Sequence, residues 1–288
     1  MSQPGSELKN HQGHNLPIVR PRPAIFRALG KSDPASRITI DGTIYQLLRV
    51  FKHDSWAATA LYEAPNGTKA ICKFNRNQSI GPISMRWLGR FLARNEKTAI
   101  ARLNDTGHVP ILLNEVRIDG DPQPNAIARI YIEGHPLGHR ESVPDSFFPA
   151  LKQLLATMHA RKMAYVDLHK RENVLVGDDG KPYLIDFQIS FLPSRLLMLL
   201  PTTWVLLSIL QKSDDYHLEK LRLKSSPAGT DAGIRRPWWI RVHRAVAMPF
   251  RQVRRKMLVK IKVRSGQGRV HTEHFTEEGL RETAQTSE

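Results

Sequence analysis

The chain of 288 residues has a single cysteine, Cys72, and this scarcity excludes an internal disulfide and a zinc site built on cysteines. We therefore expect a reducing compartment. The N-terminal residues contain no apolar stretch of signal-peptide length, so no secretion is expected and a cytoplasmic location is predicted. Acidic residues are outnumbered, and the net charge of +16 favours anionic partners such as a membrane surface, nucleic acid or a phosphorylated substrate.

Composition and periodicity divide the chain into five stretches. A hydrophobic content of 41% is enough for one large core or two lobes. We predict a disordered arm over 1–36, a strand-rich lobe over 37–130, a mainly helical lobe over 131–234, a basic amphipathic segment over 235–270 and a disordered acidic tail over 271–288.

The first lobe contains a series of β-type runs. The fourth run places one lysine, Lys73, among apolar residues, and a buried ammonium needs an anionic partner. The alternative is a lysine on the solvent face of an edge strand. Asn66-Gly67 is a strong turn signal before that run. The predicted strands are 38–40, 45–51, 57–62, 69–74, 109–116 and 126–132.

A second hairpin is predicted between Tyr165 and Ser190. Apolar strands flank an Asp-Asp-Gly turn, and Asp167, Asn173 and Asp186 come to the same end of the paired strands. Carboxylate and amide oxygens suit a magnesium ion that also binds phosphates, and a separate carboxylate can accept the proton of an attacking hydroxyl. An ordinary surface hairpin is the alternative. The agreement of apolar runs, turn and polar groups in order and spacing favours the functional interpretation.

This hairpin resembles the catalytic loop and Asp-Phe-Gly segment of the protein-kinase-like superfamily. The resemblance covers residues 38 to 225. It implies an α+β, bilobal protein-kinase-like fold with a small antiparallel-sheet N-lobe and a truncated, mainly helical C-lobe. It also implies that Asp167 is the catalytic carboxylate, that Asn173 is a metal ligand and that Asp186 is the main magnesium ligand.

The same resemblance assigns the residues that would bind a nucleotide. Lys73 would bind phosphates and pair with Glu96, from a helix predicted over Ser84 to Leu103, although a plain surface glutamate is the alternative for Glu96. The remaining assignments are Ser55 and Ala57 near the phosphates, the backbone of Arg129 to Tyr131 against adenine, and Glu133 against the ribose.

Three departures from the protein-kinase pattern stand out. The stretch from His53 to Ala58, expected to cover the phosphates, has no glycine, so its amides have less freedom to approach them. Asn173 lies six residues after Asp167, one more than in protein kinases, so either the loop is bulged or Glu172 takes part in metal binding. Gln188 replaces the glycine of Asp-Phe-Gly and reduces the flexibility of that turn. In addition to these three departures, the sequence after Gln188 contains no Ala-Pro-Glu-like segment.

With these departures the chain is more similar to the compact atypical branch, namely RIO-type kinases and the bacterial kinases that phosphorylate Kdo or heptose of the lipopolysaccharide core. The resemblance implies ATP and Mg²⁺ or Mn²⁺ as cofactors. The acceptor would be a serine or threonine hydroxyl of a protein or a lipopolysaccharide-core sugar hydroxyl. A catalytically inactive pseudokinase and an adaptor acting through the basic segment are the alternatives.

Two segments near the C-terminus bear on membrane contact. Leu196 to Leu210 is uncharged and interrupted by Pro201, which favours buried or interfacial helices over a transmembrane span. Residues 235–270 contain 12 Lys or Arg and no acid, with apolar residues at helical spacing. Such a segment is typical of a helix on an anionic membrane surface, and we predict that this surface is the inner face of the cytoplasmic membrane. Nucleic acid is the weaker alternative partner for this segment.

Overall fold

A computed structural model of the protein describes residues 23–225 and 237–239. One lobe is built on a seven-stranded antiparallel sheet, and a second lobe is mainly helical. The strands are β1 (Arg37–Ile40), β2 (Thr43–His53), β3 (Ala57–Glu63), β4 (Lys69–Asn75), β5 (Arg117–Ile118), β6 (Asp121–Pro122) and β7 (Ala126–Ile130), in the sheet order β6-β5-β1-β2-β3-β4-β7. The predicted α+β, bilobal architecture is confirmed.

Strand β4 lies inside the sheet, between β3 and β7. It pairs with β3 around the predicted turn, where Gly67 adopts a φ of +80° that residues with a side chain rarely accept. All residues of β4 after Lys69 are buried. The edge-strand alternative for Lys73 is therefore wrong.

Helix α1 (Arg86–Ala101) packs across β4 and β7. Its buried face includes Leu92, Glu96 and Ile100. Gly89 lies on the same face, and a Cβ atom at this position would come within 2.2 Å of the carbonyl oxygen of Arg76. The glycine thus sets how closely the helix approaches the end of the sheet.

The second lobe combines a small sheet with two helices. Strands β8 (Gly134–Pro136), β9 (Val174–Gly177) and β10 (Pro182–Leu184) form the order β10-β9-β8. Leu184 pairs with Val174 and Pro182 with Val176, which confirms the predicted hairpin. Helices α2 (Phe147–Ala160) and α3 (Pro201–Ser225) pack against each other and enclose a core with this hairpin.

Two predictions differ from the structure, one for the first lobe and one for the N-terminal arm. The segment 109–116 is irregular, because Pro110 lacks an N–H and only an isolated bridge from Leu112 to Arg129 forms. Residues 23–36, assigned to the disordered arm, are folded against the sheet. The N–H of Ala28 donates to the carbonyl of Asp54, and Arg76 donates to the carbonyl of Ile25.

The apolar stretch from Leu196 to Leu210 is not buried as a whole. It forms a single 3-10 turn at Leu197–Leu199 and the start of α3, and most of its large side chains between 196 and 206 are exposed. Proline at the first position of α3 suits a helix start. No helix among residues 23–225 and 237–239 is long and apolar enough to cross a membrane. The predictions for 1–22, for 271–288 and for nearly all of 235–270 fall outside the described residues.

Candidate active site

The ammonium group of Lys73 is the centre of an ion-pair network. It donates a hydrogen bond of 3.0 Å to Oε2 of Glu96 on α1 and one of 2.7 Å to Oδ1 of Asp186, just after β10. Lys73 and Glu96 are buried, whereas the Asp186 side chain is 30% exposed. The strand, the helix and the hairpin singled out in the sequence therefore converge on one point, and Glu96 is not a plain surface residue.

The network holds Lys73 and Asp186 in their charged forms. Burial raises the pKa of Asp186, but the Lys73 ammonium outweighs burial and lowers that pKa to about 2, with contributions from Lys170 and Lys52. Burial lowers the pKa of Lys73, but the carboxylates of Asp186 and Glu96 raise it above its ordinary value. Opposite charges at hydrogen-bond distance favour both ionised forms.

A second buried cation, Arg129, was missed by reasoning from the sequence. Strand β7 places it opposite Ile71 of β4, where it interacts electrostatically with Glu96 and Asp186. Its guanidinium forms no hydrogen bond with any described residue, and burial lowers its pKa. Oε1 of Glu96 is likewise buried without a partner among these residues. The available signal was a single arginine in an apolar strand, the same signal that identified Lys73.

The loop before β9 holds Asp167 in a fixed position. Its Oδ2 accepts hydrogen bonds of 2.6 Å from Lys170 and 3.2 Å from Asn173, and Nδ1 of His169 lies 3.3 Å from Oδ1. The longer spacing between Asp167 and Asn173 is accommodated by a 3-10 turn at Arg171–Asn173. The Asp167 side chain is only 4% exposed, whereas the side chain of Lys170 is 42% exposed.

Asp214 on α3 supports this loop and was also missed. Its carboxylate is fully buried and accepts hydrogen bonds from the backbone N–H groups of Tyr165 and Val166 at 2.7 and 2.8 Å. Burial raises the pKa of Asp214, while these bonds and a contact with His159 oppose the shift. An acid on a mixed helix gives no sequence signal that its partner is a loop about 50 residues away.

A cleft of about 540 Å³ opens between the two lobes, within the size range of small-molecule sites. Lys73, Asn173, Asp186 and Glu172 all line it. Its lining combines several apolar side chains with four cationic ones. The apolar group includes Phe51, Ile71, Ile130, Ile132, Leu175 and Ile185, and the cations are Lys52, Lys73, Arg129 and Lys170. Such a lining suits a flat apolar group attached to an anionic one.

The strand that leaves the first lobe at Ile130 provides only part of the predicted adenine edge. The N–H groups of Ile130 and Tyr131 already donate to the carbonyls of Ile111 and Lys69. Ile132 lines the cleft, and its N–H has no partner among the described residues. The N–H without a partner therefore lies one residue beyond the range predicted for adenine, while Tyr131 also lines the cleft, and the adenine contact stays a prediction.

Glu133 differs from its predicted position against a ribose. Its carboxylate pairs with Lys69 at 3.1 Å, and it lines a neighbouring depression rather than the cleft. The side chain is 59% exposed. The predicted contact of Glu133 with a ribose stays a prediction.

The turn between β2 and β3 is closed by its own acid. Oδ1 of Asp54 accepts hydrogen bonds from the N–H groups of Trp56 at 2.7 Å and Ala57 at 3.0 Å, so the amide of Ala57 is not free for a phosphate. The hydroxyl of Ser55 donates to the carbonyl of Phe26 and does not line the cleft. Ser55 therefore does not line the cleft, whereas Ala57 does, and the predicted contacts of both residues with phosphate stay predictions.

Gln188 anchors the turn that carries Asp186. Its side-chain amide donates to Asn75 at the end of β4, and Asn75 is in turn hydrogen bonded to the carbonyl of Asn125. Asn95 on α1 donates to the carbonyls of Gln188 and Ser190 at 2.9 and 2.8 Å. Asp186 itself adopts a φ of +64°. The predicted loss of flexibility is consistent with these contacts, since two elements of the first lobe, β4 and α1, bind this turn.

The oxygen donors around Asp186 fit magnesium. Asp186, Asn173 and Glu172 offer carboxylate and amide oxygens to the same cleft, and Mg²⁺ is held by one or two carboxylates together with phosphate oxygens. Oδ2 of Asp186 makes no hydrogen bond to another described residue. Within residues 23–225 and 237–239 there is no cluster of three or more His, Cys, Asp or Glu side chains that could hold a metal. A phosphate-bridged magnesium ion does not need one.

No protein-family model matches the chain, and no curated protein matches it. Among solved structures, the chain is similar to the Rio2 kinase from Chaetomium thermophilum, with 15% identity and a TM-score of 0.46 over 70% of this chain and 60% of that chain. It is also similar to that kinase in its ADP/Mg²⁺-phosphoaspartate complex, with 14% identity and a TM-score of 0.46 over 84% of this chain and 72% of that chain. Similarity at this level carries no conclusion about function, which we base on the chain's own geometry.

Proposed function

We propose that the protein is an ATP-dependent phosphotransferase that moves the γ-phosphoryl group to a hydroxyl. The observation that carries the proposal is the Lys73 ammonium, hydrogen bonded to both Glu96 and Asp186 in the wall of a cleft. A buried lysine held by two carboxylates is costly for stability alone, because each ion loses its hydration. Such a lysine is useful in a site where bound phosphates replace part of its contact with the carboxylates, because the cation is already in position to stabilise their charge.

The residues divide the work between binding and proton transfer. Lys73, positioned by Glu96, would bind the α- and β-phosphates, with Arg129 adding a second cation. Asp186 and Asn173, with Glu172, would hold Mg²⁺, which neutralises phosphate charge when bound. Asp167 would orient the acceptor hydroxyl and accept its proton, and Lys170, hydrogen bonded to Asp167, would stabilise negative charge beside it.

The acceptor is proposed from the charge of the chain. Such a cleft does not distinguish a serine or threonine hydroxyl of a protein from a sugar hydroxyl of a lipopolysaccharide core. The net charge of +16 and the basic segment 235–270 support an acceptor at an anionic surface. We therefore propose a peripheral protein at the inner face of the cytoplasmic membrane, with nucleic acid as the weaker alternative partner.

The test is transfer from γ-labelled ATP by the purified full chain with Mg²⁺ or Mn²⁺. Generic protein substrates and lipopolysaccharide precursors would be supplied in parallel. We expect Asp167→Asn to lower turnover at least about 100-fold, the usual contribution of a positioned acid or base. Asp105→Asn, which removes an exposed carboxylate paired with Arg161, should keep full turnover. Equal turnover by Asp167→Asn and the unchanged chain would refute the assigned role.

An inactive nucleotide-binding pseudokinase is the second candidate function. It is favoured by the turn at Asp54, whose carboxylate occupies amides that would otherwise contact phosphate. It predicts ATP binding, measured by calorimetry, without transfer to any acceptor. An adaptor acting only through 235–270 predicts that Asp186→Ala leaves every function intact.

A further inference from the structure

The segment Leu196–Leu206 presents a large apolar surface to solvent. Single exposed apolar residues are ordinary, but contiguous ones mark an interaction site. The side chains of this surface are between 46% and 76% exposed, and they are Leu196, Leu197, Leu199, Leu200, Trp204, Val205 and Leu206.

This apolar surface is braced by the fold. The indole N–H of Trp204 donates a 2.7 Å hydrogen bond to the carbonyl of Met198, which ties the 3-10 turn to the start of α3. On the other side of the helix, Thr203 and Leu207 are buried in the lobe. Because the inner side is anchored, the leucines of the turn and the outer side of α3 are held towards solvent.

The charge around the surface is positive. From Phe187 to Ser213 the chain has no acidic residue, and its charged residues are Arg195 and Lys212. The ammonium of Lys162 lies 5.1 Å from the ring centroid of Trp204. Tryptophan and basic side chains around an apolar surface are typical of the membrane interface. A second copy of the chain is a poor partner, because two molecules of net charge +16 repel each other.

The course of the chain after α3 supports the same partner. The indole N–H of Trp239 donates to Oγ of Ser213 at 3.1 Å, so the chain returns to the middle of α3. Ser213 and Trp204 are nine residues apart, about 14 Å along a helix. Trp239, which belongs to the stretch 235–270 with its 12 basic residues, therefore contacts the same helix that carries the apolar surface.

We propose that Leu196–Leu206 is a membrane-docking surface that places its apolar side chains in the interfacial layer of a bilayer rich in anionic lipid. The basic residues described around it, Lys162, Arg195 and Lys212, would contact the headgroups. The surface would lie on the membrane rather than across it, in the manner of interfacial helices. Docking does not depend on phosphotransfer, so the two proposals can fail separately.

A single-site label tests the surface in the full chain. Cys72 is buried, so Leu199→Cys provides an accessible thiol for an environment-sensitive fluorophore. The matched control is Ile111→Cys, at an apolar residue that is 61% exposed and lies outside the surface. With phosphatidylcholine vesicles containing phosphatidylglycerol, we expect a blue shift and higher emission for the first label and no change for the second. Leu199→Ser should weaken vesicle affinity about tenfold, as for loss of one buried leucine.

Three outcomes would overturn the proposal. If the chain binds vesicles while the label at 199 stays in water, the basic segment binds alone. If this label is shielded without vesicles at every protein concentration, residues 240–270 cover the surface. If the label is shielded without vesicles only at high protein concentration, a second copy of the chain covers the surface. Leu199→Ser should leave phosphate transfer to a soluble acceptor unchanged. If no variant and not even the unchanged chain transfers phosphate, the result counts against the proposed function and not against docking.

Discussion

The carboxylate of Asp214 accepts a 2.8 Å hydrogen bond from the N–H of Val166, a β-branched residue with a φ of +73°. Such a residue rarely adopts this conformation, and a strained backbone costs about 1–3 kcal/mol. The other carboxylate oxygen binds the N–H of Tyr165. Helix α3 therefore holds the backbone immediately before Asp167 in a conformation that the loop would not adopt by itself.

Asp214→Asn should release this loop. The amide can accept from one backbone N–H, but its NH₂ group faces the other, which loses its partner. We expect the free energy of unfolding to fall by about 2 kcal/mol, the typical effect of losing a charged hydrogen bond, and turnover to fall with it. The control is Asp215→Asn, because Asp215 is 64% exposed. Denaturant unfolding of both variants checks this, and equal stabilities would contradict the role of Asp214.

The stability of the fold should depend on acid through Asp186. Its pKa is lowered from 3.8 to about 2, so the ionised form stabilises the fold above pH 3.8 and this contribution is lost as the pH falls towards 2. Asparagine tolerates the positive φ at position 186, and Asp186→Asn removes the carboxyl group that titrates. The difference in unfolding free energy between the unchanged chain and the variant should shrink by about 2 kcal/mol between about pH 5 and pH 2. A difference that does not change with pH would exclude the Lys73 pairing as its cause.

Arg129 should separate stability from ligand binding. Its charge is desolvated and lacks a hydrogen-bond partner among the described residues, and this cost opposes its attraction to Glu96 and Asp186, so Arg129→Met should change the unfolding free energy by no more than about 1 kcal/mol. The same change should weaken ATP affinity about tenfold, since one cation is lost from the cleft. Arg117→Met, at an arginine that is half exposed, is the control. Calorimetric titration and thermal unfolding measure the two effects, and a parallel loss of both would indicate a structural role.

Local signals predicted much of the fold. The Asn66-Gly67 turn and the Asp-Asp-Gly turn set two hairpins, and the apolar run around Lys73 identified a strand that is indeed interior. These features depend on neighbours in sequence or on alternation along one strand, which a sequence displays directly. The convergence of Lys73, Glu96 and Asp186 was implied by the family resemblance and is present in the structure.

Long-range contacts account for what the sequence did not show. Residues 23–36 have no periodicity, and they are held by hydrogen bonds from Ala28 to Asp54 and from Arg76 to Ile25. The partners of Asp214 are likewise distant in sequence. The leucines of Leu196–Leu206 suggested burial, but apolar character does not specify which side of a segment the fold will cover.

Gly89→Ala should weaken both the fold and the site, against the usual preference of helices for alanine. Inside a helix, alanine is more stabilising than glycine by about 1 kcal/mol. At a position where the new Cβ met no other atom, Gly89→Ala would therefore raise stability by this amount. Here the new Cβ would lie 2.2 Å from the carbonyl oxygen of Arg76, which is backbone at the end of β4 and cannot turn aside. Overpacking of this kind costs about 1–3 kcal/mol, so we expect a net loss of stability measured by denaturant unfolding.

The displacement should also reach the cleft. Glu96 lies two turns beyond Gly89 on the same buried face of α1, so a helix pushed outward lengthens the 3.0 Å contact with Lys73. We expect ATP affinity to fall in Gly89→Ala even at temperatures where the variant is fully folded. Ala101→Gly at the exposed end of α1 makes the opposite exchange and should lower stability slightly without changing ATP affinity. A stabilised Gly89→Ala with full ATP affinity would show that the helix is free to shift and that its distance from the sheet does not control the lysine.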